Sequence, residues 1–379
     1  MAVVSCSKET VPSIEKAKLV LPDQPYDYGN LALPVGSLPA STLFNNLEMG
    51  VLVDPIPGTS MFEVTPWGAT LGRVLFYDKK LSLNNTISCA SCHHQDKAFT
   101  DGKALSTGFE GRVTTRSSMA IINPITQHNL FWDSRSKSIH DLSLQPVQNH
   151  IEMGMENLNR LVSKLENTDY YKPLFAKAYG DGQITPERIA IALSHFVSSI
   201  TSNQSKFDRG VENGFSNFTE LERMGMNLFH SDKAKCGSCH GGTNFAAQDG
   251  PLDAYGGGFD LSGNPASDLR GATNIGLDLV YKDNGLGDGK FKIPTLRNIG
   301  LTAPYMHDGR FKTLEDVLDH YTDGLKAHKH LDVKFKDANG NLRPLKLTSL
   351  EKKAIVVFLH TLTDTEMTRN PRWSNPFQE

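Results

Sequence analysis

Apolar residues recur at helical spacing in several stretches of the chain. Ile189, Leu193, Phe196, Val197 and Ile200 line one face of a helix that opens at Thr185 and Pro186, a cap and first-turn pair. Thr219 and Glu222 form a capping box, as do Thr348 and Glu351, and the latter box precedes the apolar set Ile355, Val356, Phe358, Leu359 and Leu362. Leu314, Val317, Leu318 and Tyr321 stand at i, i+3, i+4 and i+7, which puts a tyrosine on an inward helical stripe. No long run alternates apolar and polar positions. The spacing predicts a mainly α protein with extensive loops. Residues 1 to about 60 are rich in Pro, Gly and Ser and read as a tether plus an extended arm laid over the body. A break near Asp208 to Phe218 divides the remainder into residues 61–212 and 213–379.

The length of 379 residues suits two cores, each buried by its own half. A net charge of −3 argues against a nucleic-acid groove, and no run of 18 apolar residues spans a membrane. The Gly- and Asp-rich stretch from Gly250 to Gly289 lacks the spacing of a calcium-binding EF-hand loop and reads as a solvated loop. Of five cysteines, four lie in two copies of one motif: Cys89, Cys92 with His93, and Cys236, Cys239 with His240. The fifth, Cys6, sits in a Val-Val-Ser-Cys context that resembles the end of a bacterial lipoprotein signal, whose cysteine carries a lipid.

Two cysteines three apart share a helical face, so their thiols reach the two vinyl groups along one edge of a haem. The histidine that follows supplies an axial bond to iron, and C-x-x-C-H therefore reads as c-type haem attachment. Zinc needs four ligands, whereas each motif offers three. A dithiol redox site needs a βαβ context, and none appears. Two c-type haems follow, and with them a location in the periplasm, because haem c is attached outside the bacterial cytoplasm. Such a chain is an electron carrier if both irons are capped. It is an enzyme if one is open beside an acid–base residue.

From about Trp67 to Thr363 the chain resembles the bacterial dihaem cytochrome c peroxidases, a family that includes MauG. The resemblance rests on the two CxxCH motifs, on FWDSR at 131–135, on QPVQNHIEMG at 145–154 and on IPTLRNIGLTAPYMHDGRF at 293–311. It implies two cytochrome c-like haem domains and a peroxidase that reduces hydrogen peroxide with electrons from a small c-type cytochrome or copper protein. It also implies a homodimer. The family's acid–base glutamate falls on Glu152, and its inter-haem tryptophan on Trp132. Its calcium ligands fall on Ser117, Thr302 and Pro304, with serine where the family has asparagine.

Other departures bear on mechanism. Phe109, in STGFEG, stands where many members carry a histidine that caps the first iron, so that iron is expected to be open at rest. His94, His128, His140 and His150 are the alternative caps. Tyr321 falls where ordinary members have the methionine that ligates the second iron, and MauG also has tyrosine there. Met306, His307 and His320 are its rivals. An anionic phenolate lowers a haem potential, where methionine raises it. Leu142 replaces a glutamine common in the family. The resemblance therefore carries a second reading, a MauG-like oxidase acting on a partner protein. A non-catalytic dihaem carrier is the third.

Overall fold

The computed structural model describes residues 18–37, 63–127, 129–136, 138–246 and 271–378. Cys6, His128 and most of the Gly250–Gly289 stretch lie outside these residues. The helices are α1 (Pro66–Tyr77), α2 (Ile139–Ser143), α3 (Gln145–Gln148), α4 (Leu158–Glu166), α5 (Tyr171–Tyr179), α6 (Pro186–Ser198), α7 (Lys206–Glu212), α8 (Glu220–Phe229), α9 (Leu314–Asp319) and α10 (Ser349–His360). The strands are two-residue pieces: β1 (Lys18–Leu19) pairs antiparallel with β4 (Phe377–Gln378), and β2 (Ala272–Thr273) with β3 (Phe291–Lys292). The mainly α expectation holds. Thr185, Thr219 and Thr348 cap α6, α8 and α10, each hydroxyl accepting from the third N–H of its helix. Residues 206–212, in the stretch where the sequence suggests a break, form α7.

Two helix crossings organise the cores. Gly72 of α1 lies against Ala192 and Phe196 of α6, so closely that a Cβ there would fall 1.8 Å from the Ala192 carbonyl oxygen. Gly225 of α8 lies against Ala354 and Phe358 of α10 in the same way, with a Cβ at 2.0 Å from the Ala354 oxygen. One turn after each glycine stands a phenylalanine. Phe76 packs on Phe196 at 5.2 Å, and Phe229 on Phe358 at 5.3 Å.

The repetition extends to the loops. Asn123 and Asn298 both adopt the left-handed backbone conformation. Asn123 donates its N–H to the Ile200 carbonyl and accepts the Ser202 N–H on its side chain. Asn298 does the same with Leu362 and Asp364. Each asparagine thus fixes how the chain leaves α6 or α10.

The first core gathers α1, α4, α5 and α6, and the second α8, α9 and α10 with Phe207 of α7. The chain's two outer segments close over the first. Tyr28 is fully buried and donates its hydroxyl to the Arg372 carbonyl, while Met367 and Trp373 belong to that same core. Among the described residues no helix is long and apolar enough to cross a membrane.

Alanine in place of Gly72 or Gly225 gains helix propensity worth about 1 kcal/mol, but it drives a methyl into a backbone oxygen that cannot move aside. Either substitution is expected to cost a net of about 2 kcal/mol, read as a lower unfolding midpoint in calorimetry.

Candidate functional site

Each cysteine pair sits on a single 3₁₀ turn, Cys89–Ser91 and Cys236–Ser238. The turn places both thiols and the following histidine on one side. The histidine ring is then fixed from behind. His93 Nδ1 lies 2.7 Å from the Phe99 carbonyl, and His240 Nδ1 lies 3.1 Å from that of Pro294 and 3.3 Å from that of Phe245. A carbonyl oxygen only accepts, so Nδ1 carries the proton and Nε2 keeps its lone pair for a metal. Burial holds both imidazoles neutral, with His240 lowered to about 4. Phe99 and Phe245 take positive φ angles of 60° and 48°, which turn their carbonyls back to the ring. The loop phenylalanine after each motif, in KAFTDG and in TNFAAQ, is a signal that sequence reading passes over.

The second motif opens on a cavity. Cys236, Cys239 and His240 line it together with Tyr321, and so do Leu314, Val317 and Leu318, the full helical stripe of α9. Just after α9 the backbone widens into a π turn, His320–Gly324, which carries Tyr321. Its ring stacks on Phe335 at 5.5 Å. Burial raises the phenol's pKa, and the nearby Cys239 and Cys236 thiols push the same way. Of the rivals, His320 is turned aside, its Nε2 lying 2.9 Å from the Ile275 carbonyl. Met306 and His307 do line the cavity, and His307 stacks on Phe291 at 3.7 Å. The paired thiols, the free Nε2 and walls of Phe229, Leu318, Ile355 and Leu359 fit a c-type haem.

At the first motif, Glu152 lies close enough for its charge to bear on both the Cys89 and Cys92 thiols. Burial raises the Glu152 pKa above the ordinary carboxylate range, with only Arg135 pulling it down. Phe109 is buried against the same loop. Its N–H donates to the Ile151 and Glu152 carbonyls at 2.8 and 3.0 Å, and its ring lies on Gly154, where a Cβ would fall 2.7 Å from it. His94 folds onto its own turn, Nε2 lying 3.1 Å from the Ser91 carbonyl. His140 pairs with Glu187 at 3.0 Å, and His150 is exposed. Among these described histidines none replaces Phe109 beside Glu152.

Residues 116–118 and 131–135 join the two sites. The Ser118 hydroxyl donates to the Cys92 carbonyl at 2.6 Å, and Ser118 also lines the second cavity. Trp132 lines that cavity as well and donates its indole N–H to the Ser117 carbonyl at 3.0 Å. Arg116 bridges Asp133 at 2.7 Å and Asp283 at 2.6 Å, while Asp133 also holds Arg135, the cation that acts on Glu152. Trp132 therefore sits in one rigid segment with a hand on each centre. Ser117, Thr302 and Pro304, on which the family's calcium ligands fall, all border the second cavity. The Ser117 hydroxyl is donated to the Met306 carbonyl at 2.9 Å. Among the described residues no group of three or more His, Cys, Asp or Glu side chains is placed to hold a metal ion. Calcium takes about six to eight oxygen ligands.

A family model described as di-haem cytochrome c peroxidase matches residues 66–214. The cytochrome c551 peroxidase of Nitrosomonas europaea is 30% identical over 299 residues, covering 76% of this chain and 81% of that protein. The chain belongs to the dihaem cytochrome c peroxidase family. MauG of Methylophilus methylotrophus falls in the same range, 29% identical over 310 residues, which are 82% of this chain and 86% of that protein. Among solved structures, a MauG-like protein associated with microbial copper homeostasis superposes with a TM-score of 0.70 at 32% identity, over 86% of this chain and 98% of that one. Membership implies two c-type haems. The family spans peroxidases and MauG proteins alike.

A carboxyl whose folded pKa is raised favours the fold at low pH and loses that contribution as pH rises through the folded value. Glu152→Gln has no such titration. Relative to the wild type, the variant's melting temperature is expected to rise by about 2 °C between about pH 5 and pH 8, followed by calorimetry.

Proposed function

We propose that this protein is a periplasmic dihaem peroxidase that reduces hydrogen peroxide to water. In this reading residues 61–212 and 213–379 form two cytochrome c-like domains. Cys89, Cys92 and His93 would hold the first haem, and Cys236, Cys239 and His240 the second, with Tyr321 as a further residue that would bind it. Electrons come from a small c-type cytochrome or a copper protein, and Cys6 would carry a lipid anchor. The observation behind the reading is the half-buried Glu152 carboxyl beside the first pair of thiols, with Phe109 packed on its loop.

When bound, the haems supply redox-active iron, one of them at the position where peroxide is met. The chain's own part is proton handling and positioning. Glu152 would take a proton from one peroxide oxygen and return it to the other, so that the O–O bond breaks as one water leaves, and two electrons from the donor protein with two further protons would carry the remaining oxygen to a second water. Burial raises the pKa of this carboxyl, which favours the protonated form that returns the proton. Phe109 has no atom that binds iron, so the first centre is expected to be open without prior reduction. Trp132, fixed through its indole N–H, is placed to pass electrons between the centres.

A MauG-like oxidation of a partner protein is the second reading, and one observation favours it. Tyr321 lines the second cavity from the position where ordinary members carry a methionine ligand, and a phenolate there would make that centre a weak electron acceptor but a good site for sharing an oxidising equivalent.

Glu152→Gln is expected to slow peroxide consumption by about 10²- to 10⁴-fold with both haems still attached. An unchanged rate removes the glutamate from the mechanism. Stopped-flow mixing of peroxide with the fully oxidised protein is expected to alter the haem spectrum within milliseconds. A response only after one-electron reduction means that another residue caps the first centre.

A further inference from the structure

Residues 325–346 wrap the rim of the second cavity and are strongly basic. They hold six Lys and Arg against two Asp, in a chain whose net charge is −3. Both acids are committed locally. Asp332 accepts the Thr273 hydroxyl at 2.7 Å and the Lys334 N–H at 2.8 Å, and Asp337 closes its own turn by accepting the Asn339 and Asn341 N–H groups. Lys326, Lys329, Arg343 and Lys346 are exposed, and the Lys336 ammonium lies 2.9 Å from the Lys329 carbonyl. Among these cations Val333 is 72% exposed. Tyr281 packs edge-on to His328 at 5.3 Å, which extends the face with exposed Leu279 and Val280.

What lies beneath this face gives it meaning. Phe335 is buried and borders the cavity, and its ring is the one stacked on Tyr321. Lys334 also borders the cavity and acts electrostatically on Cys239. A partner seated on Val333 would stand one aromatic ring away from the centre. Asp278 and Asp288 border the same face but are taken up by Arg310 at 2.8 Å and His330 at 3.2 Å, which leaves the cations in excess. An apolar patch among cations in excess suits a transient redox contact, in which opposite charge steers the encounter and the apolar patch completes it. A basic ring selects against basic partners.

We infer that residues 325–346, with Leu279 and Val280, dock a small acidic redox protein that exchanges electrons with the second centre. The inference rests on the peroxidase reading only for what those electrons then do.

The haem-loaded protein is tested with an acidic cupredoxin and, separately, a basic cytochrome c, by calorimetric binding and by the second-order rate of electron transfer. At low ionic strength the acidic carrier is expected to react about ten-fold faster or more. The triple variant K326E/K329E/K346E is expected to lose about ten-fold with the acidic carrier, and the difference should close at about 1 M salt, where screening acts within about 3 Å. A neutral hydroquinone should reduce variant and wild type equally. Equal rates of variant and wild type with the acidic carrier, or a wild-type preference for the basic one, overturn the docking surface. Charge-dependent binding without peroxide turnover from any donor keeps the surface and overturns the peroxidase reading instead.

Discussion

Two helices that touch backbone to backbone set the geometry of everything else. At Gly72 and at Gly225 the absence of a side chain lets one helix settle onto a carbonyl of the other. Any Cβ would hold the helices apart, and the phenylalanine one turn later would lose its partner. That phenylalanine reaches the haem-binding region: Phe76 lies 6.4 Å from the His93 ring, and Phe229 lines the second cavity. The histidine is thus held from two directions. A backbone carbonyl fixes its Nδ1, and the aromatic packing descending from the helix crossing limits where its ring can lie.

The same local answer is used twice, and the differences between copies carry the chemical distinction. Crossing glycine, left-handed asparagine and carbonyl-bound histidine recur in both halves. Around the first copy stand a carboxyl raised by burial and a phenylalanine that offers no ligand. Around the second stand a tyrosine and a wall of aliphatic side chains. One scaffold therefore presents a carboxyl beside one pair of thiols and a buried phenol beside the other. Residues 116–118 and 131–135 keep the two in register through the Ser118 hydroxyl and the Trp132 indole, each donated to a backbone carbonyl.

Much of this was legible in sequence because it depends on spacing. Capping boxes announced α8 and α10, and the stripe of Leu314, Val317, Leu318 and Tyr321 lines the cavity as its period requires. Cysteines three apart define their own turn. What depends on tertiary approach was hidden. Gly72 and Gly225 look like weak helix residues until the partner helix is in view. The hydrogen bond from the Ser117 hydroxyl to the Met306 carbonyl joins residues 189 apart and has no signature in the sequence. The hold on α7 is likewise remote, since its Phe207 and Asp208 are claimed by the second core and by Arg297.

The last residues of the chain belong to its first core. β4 pairs with β1, Trp373 and Met367 fill the core built by α1 and α6, and Gln95, two residues beyond the first haem-binding histidine, donates to the carbonyls of Met367 and Asn370. During synthesis the residues emerge from one end, yet the half that emerges early has no complete interior until Met367 and Trp373 arrive. The second core needs nothing so remote. The order of translation and the order of closure are therefore opposed, and the loop that follows Cys89, Cys92 and His93 gains its hold on Met367 and Asn370 only after the second core's helices have been made.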